Sequence, residues 1–563
     1  MALSGLTRIL VAMLAMTAAS GAFAAARVVQ KPAAGVATPA LPAVPPPPAF
    51  TVYDRAIDPA TAAVRDALQT AGHAGPFLNK RDAAGVAEYY AEQGYVPTWT
   101  LDGKLSDRAV AIINRIAEAD ADGLDPKAYR TPPVDLGRAG AIPTPAALAE
   151  AEVMLSTAIV TYARHAYGGR LVPSEVDANF GYEQHLPDPV SVLTSVAGAN
   201  DPVATLAAYN PPQKEFELLR QKLAELRGRK VEDKPVIIPA GPILKPGMSD
   251  PRIVLLRKRL GVTADTATPE LYDEPVLAAV KAYQQSVKQK SDGTIGKPML
   301  AALNRVGVDQ IPLILANMER WRWMPRDLGN FYVRVDIPGF NLYVYQDDRI
   351  VFTTRIVVGK VDLQTPIFSN EIQEIVVNPS WNVPPSIIAK EYLPQLRNGG
   401  VPKGFQVLAR VGGRFRPVDP WTINWSTVSA SNLQLKQPPG ERNALGVIKF
   451  LFPNKYAVYL HDTPAKALFQ NDYRAYSHGC MRVQDPWGFA AELLTHEQGW
   501  SVASLKKLVG GPEKFVALPN KINVHITYFT AWVDDDGALQ IRDDVYGHDA
   551  RIEEAFGLHL AQG

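Results

Sequence analysis

The period of the hydrophobic residues changes once along the chain, and this change limits the fold more than any other feature of the sequence. From about residue 52 to residue 235, apolar side chains recur at helical spacing, as Ile112, Ile113 and Ile116 do. Further along, apolar and polar residues alternate in three consecutive stretches, beginning with 331–337. Such alternation is typical of β-strands with one buried face. The sequence therefore predicts a multidomain α+β protein, helical in its N-terminal part and β-rich in its C-terminal part.

Length and turn signals divide this pattern into domains. A chain of 563 residues has room for three or four domains of roughly 150 residues each. A segment rich in proline and glycine separates the helical part from a compact stretch with two apolar helical stripes and one further short helix. The predicted order is a helical scaffold domain at 52–237, a small three-helix domain at 245–305, a β-rich domain at 311–550 and a C-terminal tail at 551–563.

The strand pattern becomes irregular between about 385 and 445, inside the β-rich domain. This stretch holds a helix-like segment at 387–396, several glycines and prolines, and the tryptophans Trp421 and Trp425. A long insertion over a sheet is a common position for a lid over an active site. We expect a lid or capping subdomain here, and the alternative is a structural elaboration of the sheet.

The N-terminus has the features of an export signal. Arg8 precedes an apolar run at 9–19, and small residues follow at 22–26. This pattern predicts a signal peptide at 1–26; the alternative is an uncleaved anchor, although the run is shorter than the roughly 20 apolar residues of a membrane span. Residues 27–51 are rich in proline and alanine, which favours an extended linker. The mature chain is therefore expected outside the cytoplasm.

Charge and cysteine content exclude several classes of function. Lysine plus arginine (58) balances aspartate plus glutamate (57), so the chain lacks the basic excess that nucleic-acid binding requires. The single cysteine, Cys480, cannot form a disulfide within the chain or supply a metal site made of several thiolates. An unpaired thiol in an exported protein indicates a reactive role, and the alternative is a buried, inert cysteine.

A candidate catalytic pattern surrounds this cysteine. A strand-like segment ends at His461, and 19 residues later the chain reaches Cys480. Because a free thiol with a pKa of about 8.5 is only partly ionised at neutral pH, a nucleophilic cysteine needs a base, and His461 is the candidate. Gly479 leaves room for backbone N–H groups to approach an oxyanion, and Arg482 suits a substrate carboxylate. The pattern is typical of acyl transfer through a thioester.

The remaining histidines and one aspartate receive no catalytic role. Asp462 follows His461 directly, so it points to the opposite face of a strand, and we expect a backbone carbonyl to orient the imidazole instead. The other histidines have no partner at metal-ligand spacing. We expect surface or capping positions for His165 and His185, and structural positions for His496, His525 and His548.

The segment Ser477-His478-Gly479-Cys480-Met481-Arg482, preceded by His461, resembles the signature of the L,D-transpeptidase catalytic domain, or YkuD domain. Further segments similar to this family lie at 358–360, 364–366, 378–384, 443–446, 450–454 and 460–464. The helical region, at 94–99 and 122–126, resembles the scaffold domain of the large YcbB-type members. The stretch 245–305 resembles the three-helix peptidoglycan-binding domain of cell-wall enzymes.

This resemblance implies a role for each residue of the motif. Cys480 is similar to the nucleophile of the family and His461 to its proton donor and acceptor. His478 and Gly479 match the positions that shape the oxyanion pocket, and Arg482 matches a residue on the substrate side.

Three further residues complete the predicted site as substrate-binding residues. They are Ser477, Trp425 and Tyr459. Ser477 is expected to be a hydrogen-bonding neighbour of the motif, not a nucleophile.

The resemblance also implies a substrate, the tetrapeptide stem of peptidoglycan. Attack at the L-centre carbonyl of the diamino acid, commonly meso-diaminopimelate, expels the terminal D-alanine, and the amine of a second stem then forms a 3→3 cross-link. No cofactor or metal is implied, because a thiolate and a base suffice for this chemistry. The implied location is the periplasm of a Gram-negative-type envelope. The implied partners are peptidoglycan stem peptides and other cell-wall synthesis enzymes, and carbapenem-type β-lactams are expected to acylate the thiol.

Three alternatives stay open at this level. Water resolving the thioester makes the protein an L,D-carboxypeptidase, and a lysine of an envelope protein makes it a protein-anchoring transferase. Acceptor choice depends on groove shape and water exclusion, which sequence does not separate. The third alternative is a non-catalytic peptidoglycan-binding scaffold, against which the intact His461 and Cys480 argue.

Overall fold

The computed structural model describes most of the chain from residue 58 onward. The predicted signal peptide at 1–26 and linker at 27–51 lie outside the described residues. Those residues all belong to one compact unit that begins at residue 57. The described ranges are 58–74, 79–138, 140, 142–228, 236–263, 266–286, 290–305, 310–400, 403–496 and 499–558.

Several helices of the N-terminal region begin at a polar residue followed by proline. The side chains of Thr144, Asp188 and Asp201 each cap a helix whose first residue is proline. This order is favourable because the cap satisfies an otherwise unpaired N–H and proline has none to lose. The elements here are α1 (Pro59–Ala74), α2 (Lys80–Glu92), β1 (Thr100–Leu101), β2 (Lys104–Leu105), α3 (Asp107–Ala117), α4 (Pro145–Gly168), α5 (Pro173–Val176), α6 (Pro189–Gly198), α7 (Pro202–Ala207) and α8 (Lys214–Gly228).

Helix α4 is the centre of the helical region. By length and composition it is apolar enough to cross a membrane, and most of it is buried inside the protein. Its buried carboxyl, Glu152, accepts hydrogen bonds from the backbone N–H of Trp99 (2.7 Å) and from the Tyr90 hydroxyl (2.7 Å). A buried carboxylate is stable only with such partners. The shorter helices therefore pack around one long apolar helix.

One histidine of this region differs from the prediction. His165 is buried, not at the surface, and its Nδ1 lies 3.1 Å from the hydroxyl of Tyr129. Burial lowers the pKa of His165 to about 3. The segment that holds Tyr129 covers this end of α4. The spacing of residues within α4 could not predict that contact. His185 is exposed, as predicted.

The predicted small domain has three helices. Its core contains Ile253, Leu256, Val276 and Val280, which were the expected stripes. The turn before the third helix needs the left-handed conformation at Gly293, whose φ is +72°. The helices are α9 (Arg252–Leu260), α10 (Glu274–Ser286) and α11 (Lys297–Arg305).

A curved mixed sheet of nine strands forms the core of the described β-rich domain, preceded by α12 (Ile311–Trp323). The strand order is β13-β5-β14-β12-β11-β6-β15-β3-β4, and β4 also pairs with β5, so the sheet closes on itself. The strands are β3 (Phe331–Asp336), β4 (Asn341–Gln346), β5 (Arg349–Gly359), β6 (Ser369–Val377), β11 (Ile448–Leu451), β12 (Leu460–His461), β13 (Ala475–Ser477), β14 (Met481–Val483) and β15 (Lys514–Thr527).

The turn between β4 and β5 is a tight hairpin. Asp347 and Asp348 have φ values of 48° and 60°. Positive φ angles at both central residues define a type I′ turn, whose twist matches that of the two strands of a hairpin. Aspartate tolerates a positive φ angle better than most residues do. The α+β fold class and the alternating strands are confirmed.

The insertion forms a small subdomain with its own antiparallel sheet, in the order β7-β10-β8-β9. It runs from residue 381 to residue 437, so it begins four residues and ends eight residues earlier than the predicted 385–445. The stretch around Asn443 connects the insertion to β11, and the Asn443 side chain donates to the carbonyls of Pro379 (3.0 Å) and Pro438 (2.8 Å) at the two ends of the insertion. The elements are β7 (Trp381–Asn382), α13 (Pro385–Ile387), a π-helix (Ile388–Tyr392), α14 (Leu393–Arg397), β8 (Gln406–Val411), β9 (Arg414–Pro417) and β10 (Leu433–Gln437).

The C-terminal boundary also differs from the prediction. The predicted tail from residue 551 continues a helix, and Ile552 is buried in the core of the large sheet. Burial of this apolar side chain is favourable, so the helix packs against the sheet. The last elements are α15 (Pro486–Leu493), α16 (Val502–Lys506), β16 (Ala531–Val533), β17 (Leu539–Ile541) and α17 (His548–Ala555).

The helical region and the large sheet share a core. Phe180 is buried among the sheet residues, between Trp323 and His548. The backbone of Gly181 donates to Ile367 (2.8 Å), and Ile367 donates to Asn179 (2.8 Å). The segment 173–182, predicted as part of the scaffold domain, therefore packs as an added edge of the β-rich domain.

Candidate active site

Three neighbouring strands place the ionisable groups of the motif on one face of the sheet. Strands β12 and β14 run parallel, with His461 opposite Arg482. On the other side of β12, Lys449 of β11 lies opposite His461. Residues in register point to the same face of a sheet, so His461 lies between two cations. The alternate residues, Leu460 and Met481, point into the core.

The loop after β13 brings Cys480 to the same face, beside Tyr459. Its thiol is partly accessible, yet its surroundings are dense enough that desolvation raises the pKa of Cys480 to about 11. Hydrogen bonds from the backbone and hydroxyl of Tyr459 act in the opposite direction, as do the charges of Arg482 and Lys449. Without substrate, the thiol is therefore neutral at neutral pH.

His461 is buried and fixed in one orientation. Its Nδ1 lies 2.5 Å from the backbone carbonyl of Asp462, so Nδ1 carries the proton and donates it. Burial, together with the charge of Arg482, lowers the pKa of His461 to about 3. The imidazole is therefore neutral, and its Nε2 keeps a lone pair that can accept a proton. The predicted role of a backbone carbonyl as the orienting group is confirmed.

The carboxylate of Asp462 points away from the face that holds His461 and Cys480, as the alternation along the strand predicted. Its carboxylate accepts hydrogen bonds from Lys466 Nζ (2.6 Å) and the Val447 backbone (3.0 Å). It therefore holds the chain that follows His461 and does not complete a triad.

His461 is in register with Arg482, and Cys480 precedes Arg482 by two residues, so His461 and Cys480 lie on the same face of the sheet. The 19-residue spacing returns the chain to the strand next to β12. The two groups are thus both neutral on one face of the sheet and do not form an ion pair at rest.

Hydrogen bonds hold the loop that carries the thiol. Ser477 Oγ donates to the Cys480 carbonyl (2.5 Å), and Thr365 Oγ1 donates to the Gly479 carbonyl (2.8 Å). Thr365 is fully buried, and its hydroxyl also accepts the Gly359 N–H (2.9 Å). Gly479 has a φ of +106°, a conformation that glycine adopts without strain. The backbone around the nucleophile is therefore fixed before substrate arrives.

Ser477 differs from one of its two predicted roles. It is a hydrogen-bonding neighbour, as expected, but it is buried and its hydroxyl is used by Cys480. It is therefore not placed to bind substrate. The Gly479 N–H is also used, at 3.3 Å from Ser477 Oγ.

His478 connects the motif to the insertion. Its Nε2 lies 2.5 Å from Glu391 Oε1, on the π-helix of the insertion. Both side chains are about one-third exposed. No local pattern predicts this contact, because the two residues are 87 positions apart in the chain.

Two predicted substrate-binding residues occupy other positions. Trp425 is a core residue of the insertion, and its Nε1 donates to the Pro420 carbonyl (2.9 Å). Its apolar ring fills the small core, so we correct its predicted substrate contact. Tyr459 lies against the thiol of Cys480, where it acts on the nucleophile directly.

Lys449 and Thr365 were not singled out as site residues from the sequence. Lys449 lies between the buried residues Ile448 and Phe450 on β11, so alternation puts its side chain on the opposite face from theirs. Which face carries the site became known only from the pairing of β11 with β12. Within the described ranges, no group of histidine, cysteine, aspartate and glutamate side chains has the geometry of a metal site.

Comparison with known proteins identifies two domains. A family model described as the L,D-transpeptidase catalytic domain (YkuD) matches residues 330–498, and one described as a scaffold domain matches residues 84–223. A Haemophilus influenzae protein whose name assigns it to the L,D-transpeptidases is 33% identical over 245 residues, 42% of this chain and 48% of that protein. The chain thus spans about half the length of this curated relative.

Two crystal structures of L,D-transpeptidases also align with the chain. Those from Xylanimonas cellulosilytica and Stackebrandtia nassauensis are each 16% identical to it. The first covers 51% of this chain and 99% of its own, with a TM-score of 0.15. The second covers 50% and 94%, with a TM-score of 0.18. In this chain, residues 330–498 are thus similar to the L,D-transpeptidase catalytic (YkuD) domain, and residues 84–223 are similar to a scaffold domain.

Proposed function

We propose that this protein cross-links peptidoglycan by acyl transfer through a thioester on Cys480. The observation that carries the proposal is the fixed tautomer of His461, which leaves Nε2 as a proton acceptor on the face that holds the thiol. A neutral thiol beside a neutral imidazole is the starting state of a general-base mechanism.

In the first step the stem tetrapeptide donates its acyl group. Its terminal carboxylate is attracted to Arg482 and Lys449, the two cations that flank His461. Sulfur attacks the carbonyl carbon of the diamino acid while His461 Nε2 takes the thiol proton. The C–N bond to D-alanine then breaks, and the imidazolium returns the proton to the leaving amine.

The oxyanion of this step needs a donor close to the sulfur. The Gly479 N–H is occupied by Ser477, so the backbone N–H of Cys480 itself is the better candidate. His478 borders the same loop, where its contact with Glu391 fixes its ring.

In the second step the amine of another stem resolves the thioester. The C–N bond forms, the C–S bond breaks, and the amine proton passes through His461 to the sulfur. The product is a 3→3 cross-link. We further propose that this reaction takes place in the periplasm, and that carbapenems acylate the same thiol by ring opening.

The experiment is muropeptide analysis of purified sacculi incubated with the protein lacking residues 1–26. We expect 3→3 dimers and released D-alanine, and neither product with Cys480→Ala. Tripeptide stems without dimers would replace the proposal with a carboxypeptidase. Unchanged sacculi with both proteins would contradict catalysis.

A further inference from the structure

A cavity of about 930 Å³ lies on the outside of the catalytic sheet, and the mechanism above does not use it. Its floor is the outer face of β3 and β4, and its walls are the start of α8 and β16 with the turn that follows it. In the closed sheet, β3 is four strands away from β12 in either direction. The cavity is therefore on the side of the sheet opposite His461, and its volume is typical of a ligand site.

Paired side chains of β3 and β4 form an aromatic floor that carries one cation. Tyr332 lies opposite Tyr345, and their rings are stacked with centroids 4.7 Å apart and planes 4° apart. In the next pair on this face, Arg334 lies opposite Tyr343. The Arg334 guanidinium is 4.8 Å from the ring centroid of Tyr345 and 5.8 Å from that of Tyr343. The rings therefore hold the guanidinium in place before a ligand arrives.

The unpaired donors of Arg334 indicate a ligand with oxygen acceptors. A guanidinium carries five N–H groups, and within the described ranges one of them donates to a side chain, Glu215 Oε1 (3.3 Å). The Arg334 side chain is only 18% exposed, and it lines the cavity. Donors that are mostly withdrawn from water and left unpaired cost free energy, which a bound molecule with oxygen acceptors recovers.

The charges around the cavity are balanced within the protein. Arg542 pairs with Asp336, and Lys214 Nζ lies 3.6 Å from Asp535 Oδ1. The whole lining holds five lysines and arginines against six aspartates and glutamates. A phosphate or another anion prefers a site with an excess of cations. The lining therefore suits an uncharged molecule.

A half-buried tryptophan adds an aromatic surface beside these polar groups. Trp532 lines the cavity, and the guanidinium of Arg542 lies 4.1 Å from its ring centroid. The neighbours Ala531 and Val533 are buried, so the alternation of β16 directs Trp532 away from the core. Aromatic surface with a few fixed polar groups is the usual composition of a site for a small or chain-like neutral ligand.

We propose that this cavity binds the glycan strand of peptidoglycan, with Trp532 packed on a sugar ring and Arg334 donating to an acetamido carbonyl. The inference rests on the proposed function, which supplies peptidoglycan as the substrate, and it adds a second contact with that polymer. An N-acetylated sugar offers apolar ring faces and oxygen acceptors without a charge, as the lining requires. Because both contacts belong to one polymer, the glycan contact raises the local concentration of stems around the thiol.

The test measures binding without catalysis. The probe is the neutral hexamer of β-1,4-linked N-acetylglucosamine, which carries no stem peptide, and the protein is the chain lacking residues 1–26. Isothermal titration calorimetry should show binding that Trp532→Ala weakens about tenfold or more, as for the loss of an aromatic anchor. Trp421→Ala, at a tryptophan that is 74% exposed and lies outside the cavity, is the matched control and should keep the affinity of the unmodified protein.

A second variant guards against a change in the hairpin of β16 and β17. Asn330 is exposed and lines the cavity, so Asn330→Trp should obstruct it and weaken binding to a similar extent. No binding by the unmodified protein, or unchanged affinity in both variants, would overturn the inference. Equal binding of maltohexaose, which lacks acetamido groups, would also overturn it. Failure of the proposed function would appear instead as missing D-alanine release from sacculi, which this binding measurement does not involve.

Discussion

The state of single ionisable groups decides what chemistry this site performs. Cys480 and His461 are both neutral at rest, since burial raises the pKa of the thiol to about 11 and lowers that of the imidazole to about 3. Proton transfer between them is therefore coupled to substrate binding. This state differs from a preformed thiolate–imidazolium pair, in which the cysteine is reactive without substrate.

A pH profile of alkylation tests this state. Because only the thiolate reacts, the rate of modification of Cys480 by iodoacetamide should rise about tenfold per pH unit from pH 7 to pH 10. Tyr459→Phe removes a hydrogen bond that favours the thiolate, so it should shift the profile to higher pH. A rate that levels off by pH 8 would show a thiolate already formed and contradict the assignment. The measurement is adduct formation by mass spectrometry.

A second residue-scale prediction concerns Thr365, which positions the backbone of the nucleophile. Thr365→Val leaves the Gly479 carbonyl and the Gly359 N–H without their buried partner, which should cost about 1–3 kcal/mol of unfolding free energy. Displacement of the loop should slow acylation of Cys480 by about tenfold to a hundredfold. Thr365→Ser keeps the hydroxyl and should restore most of the rate. Equal rates for both variants would remove Thr365 from a positioning role.

At the scale of elements, local periodicity predicted the helices and most strands, because burial of one face imposes a spacing on the sequence. The short motif, not the periodicity, indicated Cys480 and His461 as candidates, because its residues lie close in sequence. Neither predicted the contact of Glu391 with His478, the pairing of Lys449 with His461 or the burial of His165. These depend on which elements pack together, and spacing along one element carries no information about that.

The contact between Glu391 and His478 should hold the insertion against the nucleophile loop. Glu391→Gln removes the charge that holds the π-helix against His478, so amide exchange across 385–397 should speed up about twofold to fivefold, as expected for a partly exposed contact. Glu441→Gln, an exposed carboxylate outside this contact, is the matched control. Hydrogen exchange with mass spectrometry measures both. Unchanged protection in the Glu391 variant would mean that other contacts hold the insertion.

At the scale of the whole molecule, the helical region completes the catalytic domain. Phe180 enters the core of the sheet, and its neighbours bond to the loop that supports the nucleophile. The proline- and glycine-rich segments of the sequence indicated domain boundaries, but they did not predict that the segment 173–182 packs into the sheet domain. A segment this short has no hydrophobic period that could reveal such packing. A segment of the helical region therefore supports the loop that holds the Gly479 carbonyl.

Truncation of Phe180 tests this connection. Phe180→Ala should lower the free energy of unfolding by about 3–5 kcal/mol, the usual cost of a large buried side chain. Leu101→Ala, at a residue that is 64% exposed in the same region, should change it by less than about 0.5 kcal/mol. Urea unfolding followed by tryptophan fluorescence measures both. A small effect of Phe180→Ala would contradict a shared core.

The most direct test of the central claim is the intact mass of the protein during incubation with purified tetrapeptide stems. We expect a transient species heavier by one stem minus D-alanine, located on the peptide that contains Cys480 and absent from Cys480→Ala. Stem products without any covalent species, or an adduct on another residue, would contradict the thioester mechanism.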